Sequence, residues 1–224
     1  MAFRYVWFTI LLVLTGLVLG LLLIDYIAPF DLARPPNIVT KLHLHLLKGD
    51  SERCYAALDR GNVDYRRAHP YKRADGCGYE DAVHLQNSEV KYGSRIMLRC
   101  PALLAVLMWE RHVLLPAAER HFGRKLVALR HIGTYSCRNI GRRRGKPLSE
   151  HAYANAIDIA GFTIAGGQII NIARDWKGTG DKSSFLRDAR DGACRLFGVV
   201  LSPDFNPAHS NHFHLDMSGK YVCR

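Results

Sequence analysis

Ser149-Glu150-His151-Ala152-Tyr153-Ala154-Asn155-Ala156-Ile157-Asp158 and His209-Ser210-Asn211-His212-Phe213-His214 are the two stretches around which the rest of the chain arranges itself. The first sets an imidazole and a carboxylate apart by six intervening residues, and Ala156-Ile157-Asp158-Ile159-Ala160 reads as a strand that carries the carboxylate inside it. In the second, His212 and His214 stand at a spacing that an extended strand turns to one face. A catalytic Zn²⁺ takes three protein ligands from His, Asp, Glu or Cys and leaves its fourth position to water. His151, Asp158 and His214 meet that requirement, and His212 and His209 are left for proton handling.

Outward from these stretches, the apolar positions predict a long helix from Pro101 to about Phe122, stopped by Gly123, whose stripe is core. Leu126 to Leu129 and Ile132 to Tyr135 read as strand ends leading to Cys137-Arg138, and Ile164 to Ile172 as a hairpin turned at Gly166-Gly167. Phe185, Leu186, Ala189, Ala193, Cys194 and Phe197 share a helical face, and His212 to Asp216 is expected to close the sheet. Between Ser51 and Gly93 the signals are short: a helical turn at Cys54 to Leu58 and a bend at Gly76-Cys77-Gly78, expected as a lid or side wall. Helices mixed with mainly hairpin-connected strands predict an α+β domain, a small mainly antiparallel sheet flanked by helices. Neither a nucleotide-binding glycine fingerprint nor an internal repeat is present.

Length and composition divide the chain in three. Residues 5–24 carry no charge, and twenty helical residues span about 30 Å, the thickness of a hydrocarbon core. Tyr5, Trp7 and Tyr26 sit where interfacial aromatics belong, and Asp25 to Pro29 offers no small-residue cleavage site. Residues 1–26 are therefore expected to be an uncleaved transmembrane anchor in preference to a signal peptide. Residues 27–50 are expected to be a linker, since Pro29 and Pro35-Pro36 prevent regular helix. Within it, Leu42-His43-Leu44-His45-Leu46 is a second His-x-His, read as an alternating strand or a polar face because no carboxylate stands near it at a ligand spacing.

Residues 51–224 form the expected functional domain, which holds all six cysteines. An even number spread through an exported domain predicts disulfides, with buried thiols in a cytosolic protein as the alternative. A Cys/His peptidase built on Cys137 or Cys194 lacks an activating context. The net charge of +11 favours anionic surfaces. Lipid headgroups and polyanionic wall are the expected partners, and no nucleic acid is expected. The run Arg142-Arg143-Arg144 with Lys146 lies between Arg138 and His151, where it is read as a solvated loop or as the flank of a groove.

Ser-x-His-x6-Asp followed by a late His-x-His resembles the zinc site of D-Ala-D-Ala carboxypeptidases, murein endopeptidases and the Hedgehog signalling domain. The wider run from Gly133 to Arg138, through Ser149-Glu150-His151, to Asn155 to Phe162 is similar to the bacterial extensin-like C-terminal family. That likeness continues through Trp176, Phe185-Leu186-Arg187 and Ala193-Cys194 to the terminal His-rich strand. The resemblance implies a Hedgehog/D-Ala-D-Ala peptidase-like fold and Zn²⁺ on His151, Asp158 and His214. The carboxypeptidase branch places a Glu three residues before the last ligand, where this chain has Asn211. His209-x-x-His212-x-His214 instead resembles the endopeptidase branch, which implies His212 as general acid/base or oxyanion stabiliser and His209 as its partner. Arg138 is placed to bind a substrate carboxylate or to make a structural salt bridge beside Cys137, and Ser149 to hydrogen-bond the site or its substrate. Tyr153 and Ala154 depart from the pattern, which often has Gly at the latter position. The expectation is a zinc peptidase acting on peptidoglycan, single-pass in the inner membrane with its domain in the periplasm. The alternative is a non-catalytic wall-binding or scaffolding module with a structural metal.

Overall fold

In the computed structural model, which describes residues 2–224 and no side chains at residues 2–4 and 21–27, helix α1 (Ala2–Ile27) leads the chain. Of the expected interfacial aromatics, Tyr26 lies outside the described side chains, as does Asp25. Its described apolar residues, from Tyr5 to Leu19, are exposed. Helix α2 (Thr40–Leu46) and α3 (Ser51–Arg60) follow, the latter capped by Asp50, whose Oδ1 accepts from Arg53 N. Strands β1 (Asp64–Arg67), β2 (Tyr71–Lys72), β3 (Gly78–Tyr79), β4 (Ala82–Asn87), β5 (Lys91–Tyr92) and β6 (Ile96–Arg99) come next. The expected long helix is α4 (Cys100–Trp109) and α5 (Leu115–Phe122) joined by a π-helical stretch, Glu110–Leu114, and Gly123 ends it at φ 59°. The 100–122 helix is apolar enough to cross a membrane but is largely buried in the domain, so its apolarity serves the core.

The remaining elements are β7 (Leu126–Gly133), β8 (Ala156–Ile164), β9 (Gln168–Asn171), α6 (Ile172–Asp175), α7 (Asp181–Cys194), β10 (Val199–Leu201), β11 (Phe213–Asp216) and β12 (Val222–Cys223). They build a seven-stranded sheet in the order β12-β10-β11-β8-β7-β5, with β9 also on β8. Its pairings are antiparallel except β10 with β12 and β5 with β7. A separate sheet, β1-β4-β6, forms the side wall. The fold is α+β, as the mixed pattern of helices and hairpins predicts.

Alternation along β8 decides which side chains face the helices. Ile157 and Ile159 enter the core, then Phe162 and Ile164 do, and the change of parity coincides with a register shift between Arg130 and His131 of β7. This bulge lets both pairs of apolar residues point inward while Asp158 points to the opposite face. Gly161 is required beside it, since a Cβ there would lie 2.5 Å from Ile170 O. In β11 Phe213 and Leu215 are fully buried against the helices, which leaves His214 and Asp216 on the face of Asp158. Trp109 closes the helical layer by donating Nε1–H to Ala189 O at 2.8 Å.

Four expectations are corrected. Residues 27–50 are not a bare stalk: Phe30, Leu32, Leu44 and Leu47 join the core, each such burial contributing about 1.5–3 kcal/mol. The prolines end before Thr40, so they do not stop α2 from forming where an alternating strand or a polar face was expected, and of the two histidines only His45 is exposed. β11 does not close the sheet but lies inside it, because β10 and β12 add beyond it. The two segments expected from Leu126 to Tyr135 are one bulged strand, β7. All six cysteines pair, as Cys54–Cys100, Cys77–Cys137 and Cys194–Cys223, and on a chain-entropy account each link contributes about 4 kcal/mol.

Candidate metal centre

A 3₁₀ turn, Glu150–Tyr153, presents His151 to the sheet. Ser149 caps it, its Oγ accepting from His151 N at 3.4 Å, and the turn ends on Ala154 in the left-handed region at φ 53°. That conformation is why glycine suits this position. Cross-strand pairing of Asp158 with His214 then brings the other two ligands together. His151 Nε2 lies 3.1 Å from Asp158 Oδ1 and 3.3 Å from His214 Nδ1, and His214 Nδ1 lies 2.9 Å from the same oxygen. All three side chains are almost wholly removed from solvent, and they form a group able to hold one ion.

Both imidazoles are oriented from behind. Thr134 O accepts from His151 Nδ1 at 2.7 Å, and Asp216 Oδ2 accepts from His214 Nε2 at 3.0 Å. Carbonyl or carboxylate partners of this kind fix the tautomer of metal-binding histidines and raise their basicity. In the neutral rings both outer nitrogens are committed as donors, so the inner ones face Asp158 Oδ1 as lone pairs. Three acceptors roughly 3 Å apart repel one another unless a cation sits among them. Tetrahedral zinc with ligands at about 2.0–2.1 Å needs ligand-to-ligand edges of about 3.3 Å, close to the spacing found. The donor set therefore fits zinc.

The same pull is visible in the proton affinities. Burial opposes the charge on His214, but the hydrogen bonds it donates to Asp158 and Asp216 outweigh this and lift the group to about 9. Burial also opposes the charge on Asp158, and its interactions with His151 and His214 overcome this to hold the carboxyl far below its usual range. Without metal, His214 carries the extra proton that a cation displaces.

His209 and His212 stand beside the ligands without joining them. His212 Nε2 is 3.7 Å from Asp158 Oδ1, and its Nδ1 donates to Asn211 Oδ1 at 2.7 Å, so Nε2 presents a lone pair to the centre. Burial lowers its proton affinity, partly countered by Asp158. The His209 ring is 5.1 Å from that of His212, its Nδ1 donates to Asn206 Oδ1 at 2.8 Å, and burial with the fields of His212 and His214 brings it down to about 4. Arg138 approaches from the open side, its guanidinium 4.0 Å from Asp158 Oδ2. Ser149 is buried at the back of His151 and acts by holding it. Trp176 is core, 1% exposed, and donates to Asp204 Oδ1.

Sequence reasoning brought together His151, Asp158, His214, His212, His209 and Arg138. It missed Thr134 and Asn206. A backbone carbonyl leaves no residue-type signal, so nothing in the sequence could have found Thr134 O.

The model of the extensin-like protein C-terminus family matches residues 52–224. The chain belongs to the extensin-like C-terminal family. No curated protein matches this extensin-like chain, and no solved structure does. The family match covers every residue of the centre and begins after α2, so α1 and α2 lie outside it.

Proposed function

We propose that this extensin-like chain is a membrane-anchored zinc peptidase that hydrolyses amide bonds in peptidoglycan stem peptides or cross-links. The observation that carries the reading is the convergence of three acceptor atoms whose two imidazoles are each held from behind by an acceptor. Zinc held by His151, Asp158 and His214 supplies electrophilic polarisation of a carbonyl and acidifies water.

The chain's own residues supply the rest. His212, with its Nε2 lone pair facing the centre and its proton affinity lowered, is neutral at physiological pH and accepts a proton there. His209, held neutral well above pH 4, steadies His212 by packing ring to ring. Arg138 offers its planar donors to a carboxylate of the bound peptide. The apolar stretch of α1 anchors the chain in the inner membrane, and three disulfides suit the oxidising periplasmic side.

The test is digestion of isolated sacculi by the full chain in a non-ionic detergent. New muropeptides are expected with zinc, absent after chelation and absent for His212→Ala. A chain that binds zinc and sacculi but releases nothing is a wall-binding module, and the peptidase reading then fails.

A further inference from the structure

A cavity of about 610 Å³ opens where strands β1, β4 and β6 of the small sheet meet β5 at the edge of the large one. None of the metal-centre residues lines it. Arg66, Lys91 and Arg95 do, and no aspartate or glutamate does. Glu89 lies between the lining residues Ser88 and Val90 yet is not part of the wall, and Asp64 lies outside it, accepting from Asn87.

Among the described residues, none of these three cations has an ion pair or a side-chain hydrogen bond. Two cations close to them on the same small sheet are paired. Arg67 pairs with Glu52 at 3.0 Å, and Arg99 pairs with Asp81 at 2.6 Å. Arg66 stands opposite His84 in register, and burial together with the fields of Arg66 and Arg95 lowers His84, so both guanidiniums reach the same space.

The wall is built rather than loose. Glu110, buried on the π-helical stretch, accepts from Ser88 Oγ and from Tyr92 OH, each at 2.5 Å, which pins both ends of the turn that carries Lys91. Ser94 Oγ is fixed against His131 Nε2 at 2.8 Å, next to Arg95. Like charges gathered on a fixed wall repel, and an anion relieves that repulsion. The volume is that of a ligand site, and guanidinium groups match the planar oxygens of carboxylate and phosphate.

We propose that this cleft is a second binding site, which takes an oxyanionic group, carboxylate or phosphate, on Arg66, Lys91 and Arg95. It stands independently of the peptidase reading, since it shares no residue with the metal centre.

The test uses fluorescence anisotropy of the full chain in non-ionic detergent at low salt. Two labelled hexapeptides serve as probes, one of glutamate and one of phosphoserine. Arg66→Gln/Lys91→Gln/Arg95→Gln is expected to weaken binding at least tenfold with an unchanged melting temperature. Arg142→Gln/Arg143→Gln/Arg144→Gln, which removes as much charge from an exposed loop, is expected to change it less than twofold. Chelation of zinc is expected to leave binding as it was. Binding of one probe but not the other supports the site and identifies its ligand as carboxylate or phosphate. Absence of binding by both probes, or equal loss in the two triple variants, overturns the proposal. Should the cleft variant lose its melting transition, the single variant Arg95→Gln replaces it, with at least a threefold loss expected and an unchanged affinity overturning the proposal.

Discussion

The chain carries the same His-x-His spacing twice, and the two copies have opposite fates. At β11, His212 just before the strand and His214 within it both lie toward Asp158 Oδ1, at 3.7 and 2.9 Å. In α2, His43 is buried with its ring edge-on to Phe30, while His45 faces outward beside Lys48 at 3.1 Å. A helix turns residues two apart to nearly opposite sides, whereas a strand returns them to one. Spacing acquires meaning only through backbone conformation, and then only where a carboxylate on the neighbouring strand completes the set.

The sharpest way to break this contrast is to remove a ligand from the working copy. Asp158→Asn is expected to weaken zinc binding about a thousandfold, roughly 4 kcal/mol, in competition with a chromogenic chelator. His45→Ala is expected to leave that titration unmoved.

A pH series on metal-free protein sharpens the contrast further. His214, at about 9 when folded, lies above its unfolded value of about 6.5. Its contribution is therefore fully present below pH 6.5 and is lost as pH rises to 9, about 3 kcal/mol by denaturant unfolding. Saturating zinc replaces the proton, and the fall is expected to disappear. A metal-free stability that is flat between pH 6.5 and 9 would break the assignment.

A smaller effect is expected behind the ligand. Asp216→Asn removes the charge that orients His214 and is expected to cost 10- to 100-fold in zinc affinity, read by the same competition. Smallest of all is Ala154→Gly. Relief of the left-handed backbone and loss of a buried methyl nearly cancel, and melting is expected to show a change within about 1 kcal/mol.

Much of the centre was legible because its parts are side chains on periodic elements. Asp158 sits among alternating apolar residues, and Phe213 and Leu215 alternate with His214, so strand parity put Asp158 and His214 on one face, while His151 comes from a turn. The bulge that reverses parity between Ile159 and Phe162 was not legible, since it arises from the register of β7. Nor was the docking of Phe30, Leu32 and Leu44: three prolines obscured a segment whose short helix packs on α4. The interior place of β11 escaped for a similar reason, because β12 joins through two residues, too few to leave a pattern.

The bond between Cys77 and Cys137 fastens a segment that begins three residues earlier with Thr134 and ends with Arg138. One covalent clasp thus governs both the brace behind His151 and the guanidinium in front of Asp158. A chain whose Cys77 and Cys137 are still reduced holds His151, Asp158 and His214 yet lacks the clasp, so the assembly of the acceptor cluster is tied to the oxidative formation of a bond that none of the three makes.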